Sequence, residues 1–388
     1  MLAFINATVY TMLDDAPIED CTIIIEQDKI ISIGQELAIP VGCEVIDARG
    51  KIITPGLIDA HTHLGVYSEG SQLSSNDFSE NSEASTPAMH VIDAINPYDP
   101  GLRRAYLAGI TTAMIAPGSG NPINGTCSII KTKLRASVEQ MLLVKHAGLK
   151  ISLGDNPKSI FKKKGRAPFT RMAIANIIRE NFFKAQAYLA KKEGGATDIH
   201  LGFEAIGRAL RKEMPLRVHA HRPDDIVTAV RLAKEFDTDL IIEHASEGHL
   251  IIDFLAQEKL PVIVGPVMHA RTKTELAEHE LSLAAQLNQV GVPIAIMSDH
   301  PICPSEFLPT YAGICVKYGL DTYQALKAIT INAAKIMQID SCVGALAPNM
   351  QADLVVWSAH PFEYHAQAQI IVVNGEVDER CSVQNTHK

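Results

Sequence analysis

At 388 residues and 47% hydrophobic, the chain suits one large domain plus a smaller one. Its 35 basic and 44 acidic side chains leave a formal charge of −9, which excludes a net positive field for nucleic acid or an anionic membrane surface and favours a small neutral or zwitterionic ligand. No apolar run reaches the ~18–20 residues of a membrane span, no charged region precedes an apolar core at the N-terminus, and the seven cysteines include no C-x-x-C pair; the expectation is a cytoplasmic protein with reduced thiols.

Residues 1–50 alternate short Ile-rich segments (3–10, 22–26, 30–33, 44–47) with Asp, Gly and Pro breaks, the pattern of antiparallel strands. From Lys51 apolar runs alternate with helical stretches, which signals βα units around a parallel sheet. Strands are expected at 52–61, 110–116, 149–154, 216–219, 240–244, 262–265 and 293–298, with an eighth near 128–133. Helices are expected at 171–192, begun by Thr170 and stopped by Gly194-Gly195, and at 222–236 and 273–290. Residues 68–86, rich in Ser, Glu and Asn, read as a mobile loop, Gly118-Ser119-Gly120-Asn121 as a flexible loop at a strand end, and the basic run from Lys162 to Arg166 as a solvated loop, with attraction of an anionic substrate as its alternative. From Gly344 short strands return (353–357, 370–373), with a hairpin signal at Asn374-Gly375. The fold expected is α/β: a TIM-type barrel over 53–342, with a small composite β-sandwich built from 1–52 and 343–388.

The chemistry lies at strand ends. His61 and His63 close the first barrel strand, His219 and His244 close two later ones, and Asp299 closes another. A parallel barrel gathers the C-terminal ends of its strands on one face, so these residues converge although far apart in sequence. Four imidazoles and one carboxylate suit zinc, with iron or manganese as alternatives, better than calcium or magnesium. Whether one ion or two binds depends on a further ligand. Asp155, at the end of its expected strand, is preferred to Lys150, which begins that run and lies about 16 Å lower at ~3.3 Å per residue. His221, His249 and Arg271 follow strand ends and are candidates for substrate binding, Arg271 as a bidentate carboxylate clamp.

Pro55-Gly56-Leu57-Ile58-Asp59-Ala60-His61-Thr62-His63, Val218-His219-Ala220-His221, Ile242-Glu243-His244, Ser298-Asp299-His300-Pro301, Thr330-Ile331-Asn332-Ala333-Ala334-Lys335 and the closing segment 344–354 together resemble the amidohydrolase superfamily, in its imidazolonepropionase-like branch of metal-dependent hydrolases. Asn349 departs from the Gly usual in the closing motif, a change that a left-handed backbone tolerates. The resemblance implies His61, His63, His219, His244 and Asp299 as metal ligands, with Asp299 also shuttling the proton and His244 sharing the catalytic work. The implied reaction is hydrolysis of an amide or cyclic amide C–N bond of a small molecule by a metal-activated hydroxide. The alternatives are a deaminase of an amino-substituted heterocycle and a non-catalytic barrel scaffold. A homo-oligomer is a fair default.

Overall fold

A computed structural model describes residues 1–68 and 76–378, which fall into two sheets. The chain first lays down β1 (Leu2–Val9), β2 (Ile18–Glu26), β3 (Lys29–Gly34), β4 (Glu44–Asp47) and β5 (Ile52–Pro55). It then builds a barrel from β6 (Leu57–Thr62), β7 (Ile110–Ile115), β8 (Ile123–Lys131), β9 (Leu142–Ser152), β10 (Leu216–Ala220), β11 (Leu240–His244), β12 (Val262–Val264) and β13 (Ile294–Ile296). It returns with β14 (Leu354–Trp357), β15 (Ala368–Val373) and β16 (Glu376–Val377).

The smaller sheet runs β16-β15-β14-β5-β1-β2-β3, with β4 also on β1, so strands from both chain ends make one continuous ladder. Head and tail meet where β5 pairs antiparallel with β14, Ile52 opposite Trp357 and Thr54 opposite Val355. Phe4, Ile23, Ile25, Ile53, Leu354 and Val372 fill its core. Each such side chain, fully buried, contributes about 1.5–3 kcal/mol. Asn349 does take the left-handed conformation, at φ 72°, and Asn374 and Gly375 turn β15 into β16 at φ 51° and 73°.

The apolar run after Lys51 is two strands in two sheets, not one. The hand-over falls at Gly56, whose N–H donates to Asp353 O at 3.0 Å while Leu57 N–H donates to Gly109 O at 3.0 Å. A Cβ on Gly56 would lie 2.1 Å from Thr111 Oγ1, so only glycine lets the two sheets approach this closely. Gly56→Ala is expected to destabilise the chain by about 1–3 kcal/mol through overpacking, read as a lower urea midpoint. An unchanged midpoint would mean that Thr111 gives way without cost.

The barrel sheet runs in sequence order from β6 to β13. Neighbours are parallel except at β8, which is antiparallel to both β7 and β9. Strand eight therefore starts earlier than expected and runs the opposite way. The links at 116–122 and 132–141 hold no helix beyond a 3₁₀ turn at Val138–Gln140, too little for the crossover that a parallel neighbour needs. Ile58, Met114, Ile129, Ile241, Ile263 and Met297 pack the interior. The last gap is stapled at the rim by Asp299 N–H to His61 O (3.1 Å) and His63 N–H to His300 O (3.0 Å).

Helix Arg171–Glu193 is capped by Thr170, whose hydroxyl accepts from Ala173 N, and ends at Gly194; helix Pro223–Glu235 also lies close to its expected place. The stretch 273–290 is broken instead, into a 3₁₀ turn at Thr274–Leu276 and a helix at Leu283–Gln289. The cause is Glu275, which dips into the barrel mouth and is fully buried rather than facing solvent.

Of the expected mobile loop, residues 69–75 lie outside the described residues. Residues 76–86 are pinned: Gly118 N–H donates to Phe78 O, Lys164 to Asn81 O, and Arg166 to Ser82 O and Glu83. The glycine loop at 118–121 and the basic run thus serve as anchors, and Asn121 is buried. Among the described residues no helix is long and apolar enough to cross a membrane, and Cys21, Cys43, Cys127, Cys303, Cys315 and Cys342 are free thiols.

Candidate metal centre at the barrel mouth

The pairing of β6 with β7 slips between Asp59 and Thr62; His61 within that irregularity and His63 just beyond it lie at the mouth with ring centroids 5.2 Å apart. Three histidines here have Nδ1 fixed from behind. His61 Nδ1 donates to Glu243 Oε1 (2.9 Å), His63 Nδ1 to Ala116 O (2.8 Å) and His244 Nδ1 to Gly265 O (2.9 Å). That leaves each Nε2 with its lone pair directed forward, the tautomer that a metal-ligating histidine requires.

What those lone pairs face makes the case for a cation. His61 Nε2 and His63 Nε2 lie 3.3 and 3.4 Å from Asp299 Oδ1, and His61 Nε2 is buried with no hydrogen-bond partner. Acceptors converging on one carboxylate oxygen need positive charge between them, a second ring proton or a metal ion. His61, His244 and Asp299 hold their donor atoms within 4.8 Å of one another, as do His219, His221 and His244. His219 Nδ1 donates to His244 Nε2 at 2.7 Å, and His221 Nδ1 is 2.8 Å from Ser246 Oγ.

The electrostatics suit a metal. Burial, then the repulsion of neighbouring imidazoles, pushes His219 and His221 well below the usual histidine range, and burial against the attraction of Asp299 pushes His244 down to about 3. Imidazoles kept neutral are ready ligands that lose no proton on binding. Burial opposes the charge on Asp299, but a second ring proton on His61 and His63, the positive charge that a bound ion would replace, outweighs it and holds the carboxyl well below its ordinary range. His244 and Asp299 sit at φ 75° and 55°, left-handed for residues with a Cβ. Such conformations cost about 1–3 kcal/mol each and persist where the surroundings over-determine them.

Beneath the histidines lies a charged layer with no solvent access. Glu243 receives His61 Nδ1, Arg217 Nε at 2.8 Å and Lys150 Nζ, while Arg217 Nη2 also donates to Ala60 O at 2.7 Å. Burial opposes ionisation of Glu243, yet His61, Lys150 and Arg217 hold it well below the carboxylate range. Asp59 anchors the turn carrying Asp299: it accepts from Ser298 N–H and hydroxyl and from Ser305 Oγ at 2.7 Å, and burial pushes it up to about 6.

The structure brings His61, His63, His219, His244 and Asp299 together, with His221 beside them. Asp155 is not among them. It is the first residue of helix Asp155–Lys163, and its carboxylate is turned to Lys158 (3.1 Å) and Arg171 (3.5 Å). Lys150 is two residues from the end of β9, not at its start, because that strand begins at Leu142; its inward ammonium is committed to Glu243. Arg271 is exposed and donates to His279 O, and His249 is partly buried in a 3₁₀ turn outside both ligand groups. The sequence reading missed Glu243, Arg217 and Asp59. A signal for the first two was present: Lys150, Arg217 and Glu243 interrupt the apolar runs of three adjacent strands.

Barrel, composite sheet and site define a class. Residues 52–379 match the amidohydrolase family, and the chain belongs to it; it is a hydrolase acting on carbon–nitrogen bonds. An amidohydrolase structure from Thermotoga maritima is similar at a TM-score of 0.94 and 38% identity, over 97% of this chain and 99% of that one. An imidazolonepropionase from Fusobacterium nucleatum is 24% identical over 88% of this chain and 86% of its own length. Amidohydrolase tasK from Hapsidospora irregularis is 24% identical over 91% of this chain, which spans only 39% of that relative.

Proposed function

We propose that the protein is a metal-dependent hydrolase of a small amide or cyclic amide, with the ion held by His61, His63, His219, His244 and Asp299. The observation that carries this reading is the geometry of His61: Nδ1 spent on Glu243, Nε2 buried, bare and facing Asp299. A divalent metal there supplies Lewis-acid polarisation of a carbonyl and a water acidic enough to attack near neutral pH. Asp299, kept anionic, takes the proton of the attacking water on a carboxylate oxygen and returns it to the departing nitrogen. His61, His63 and His244 keep their orientation through Glu243, Ala116 O and Gly265 O. The imidazolonepropionase relatives make an imidazolone the first cyclic amide to assay.

The test is a panel of amides, cyclic amides and amino-substituted heterocycles offered to zinc-, iron- and manganese-loaded protein. Formation of a carboxylate with an amine supports the reading; ammonia from the heterocycles with every amide inert overturns it in favour of a deaminase. Metal removal should also cost stability, because an ion that binds only the folded chain stabilises it by about 4 kcal/mol at a thousandfold excess over Kd. A chelator is expected to lower the thermal midpoint and added zinc to restore it. An unmoved midpoint with no metal released would count against a bound ion.

A further inference from the structure

The barrel mouth also carries an ammonium that the metal reading does not use. Lys273 lies on the loop after β12, with Nζ 2.7 Å from Asn156 Oδ1, and Nδ2 of that amide is 3.3 Å from His219 Nε2. One side chain therefore separates Lys273 from a proposed metal ligand, yet Lys273 remains 42% exposed and open to an incoming solute. Beside it stands Glu275, whose carboxylate is buried at the same rim. Its Oε2 accepts from Asp155 N–H at 2.8 Å, but Oε1 has no hydrogen-bond partner and faces Lys273 Nζ at 3.7 Å and His221 Nε2 at 3.8 Å. A buried acceptor held only at these ion-pair distances receives no hydrogen bond from the protein and can take one from a ligand. Arg271, the other cation of this loop, is exposed and engaged with His279 O.

We propose that Lys273, Asn156 and Glu275 form the substrate-recognition subsite, with Lys273 taking a carboxylate and Glu275 Oε1 accepting an N–H. Asn156 holds the ammonium in place between solvent and His219. The substrate class this selects is an amide bearing both an N–H and a nearby carboxylate: an N-acyl amino acid or its cyclic counterpart. The proposal deepens the hydrolase reading and rests on it for the scissile bond.

The test titrates zinc-loaded full-length protein calorimetrically with N-acetylglycine, N-acetylglycinamide and N-acetylsarcosine, with zinc content measured on the same samples. Parent protein should bind the acid more tightly than the amide by roughly ten- to a hundredfold, the ratio supported by a hydrogen bond to a charged group. Lys273→Met should abolish that preference at unchanged zinc content and thermal midpoint, and Lys273→Arg should retain most of it. The N-methylated acid should bind parent protein more weakly than N-acetylglycine. Equal affinity for acid and amide in the parent, no detectable binding of either included, or a preference that survives Lys273→Met, overturns the role of Lys273; indifference to N-methylation overturns that of Glu275. Failure of the hydrolase reading looks different, since it appears in the turnover panel, as ammonia from the heterocycles with every amide inert, whatever the binding preference.

Discussion

Replacing Asp299 with asparagine is expected to leave the fold and the bound metal in place and to lower kcat by about 10²–10⁴, the range that a positioned acid–base group contributes. The four imidazoles are untouched, and an amide oxygen can still occupy the position of Oδ1, so metal analysis and the thermal midpoint should match the parent. What disappears is a carboxylate that His61 and His63 keep anionic despite its burial. Asparagine can neither take the proton of an attacking water nor return it to a leaving nitrogen. Turnover at the parent rate, on whichever amide the parent cleaves, would remove Asp299 from the chemistry.

The largest stability effect is expected at Glu243. Its carboxylate is the shared counter-charge of Lys150 and Arg217, and all three side chains are at or below 1% exposure. Glu243→Gln leaves two buried cations facing a neutral amide, and breaking a buried ion pair in this way costs about 3–5 kcal/mol. The urea midpoint should fall accordingly. The same change loosens the support behind His61, and loss of such a partner typically weakens metal affinity by about 10–100-fold. Adding Lys150→Met should recover part of the stability, because one stranded cation is removed with its partner; that coupling separates charge imbalance from lost packing. A Glu243→Gln midpoint equal to that of the parent would mean that the buried network contributes nothing.

The barrel was legible because its strand ends carry unusual residues. The run Leu240–His244 is apolar until Glu243-His244, and the structure closes that strand at His244. β8 was harder to place. It is buried along its whole length and includes Asn124, Thr126 and Ser128, so neither alternation nor an unbroken apolar run marks it, and its direction follows from the brevity of its links. Lys150 was misplaced because residues 142–148 carry Lys145, His146 and Gly148 and do not look like strand. Glu275 was hidden by a helical pattern in which an acidic residue naturally reads as solvated. Its burial depends on a mouth formed by Gly154, Asp155 and Asp225, where a Cβ on Gly154 would lie 2.7 Å from Glu275 Oε2. Propensity sees the helix that residues 273–290 could form alone; tertiary contact decides that they do not.

The most direct test of the metal centre is anomalous diffraction at the zinc edge from crystals of zinc-loaded protein. The expected result is a strong peak enclosed by the imidazoles of His61, His63, His219 and His244 and by the Asp299 carboxylate. Zinc density elsewhere in the molecule, with these five side chains bound to one another and to no metal, would contradict the account.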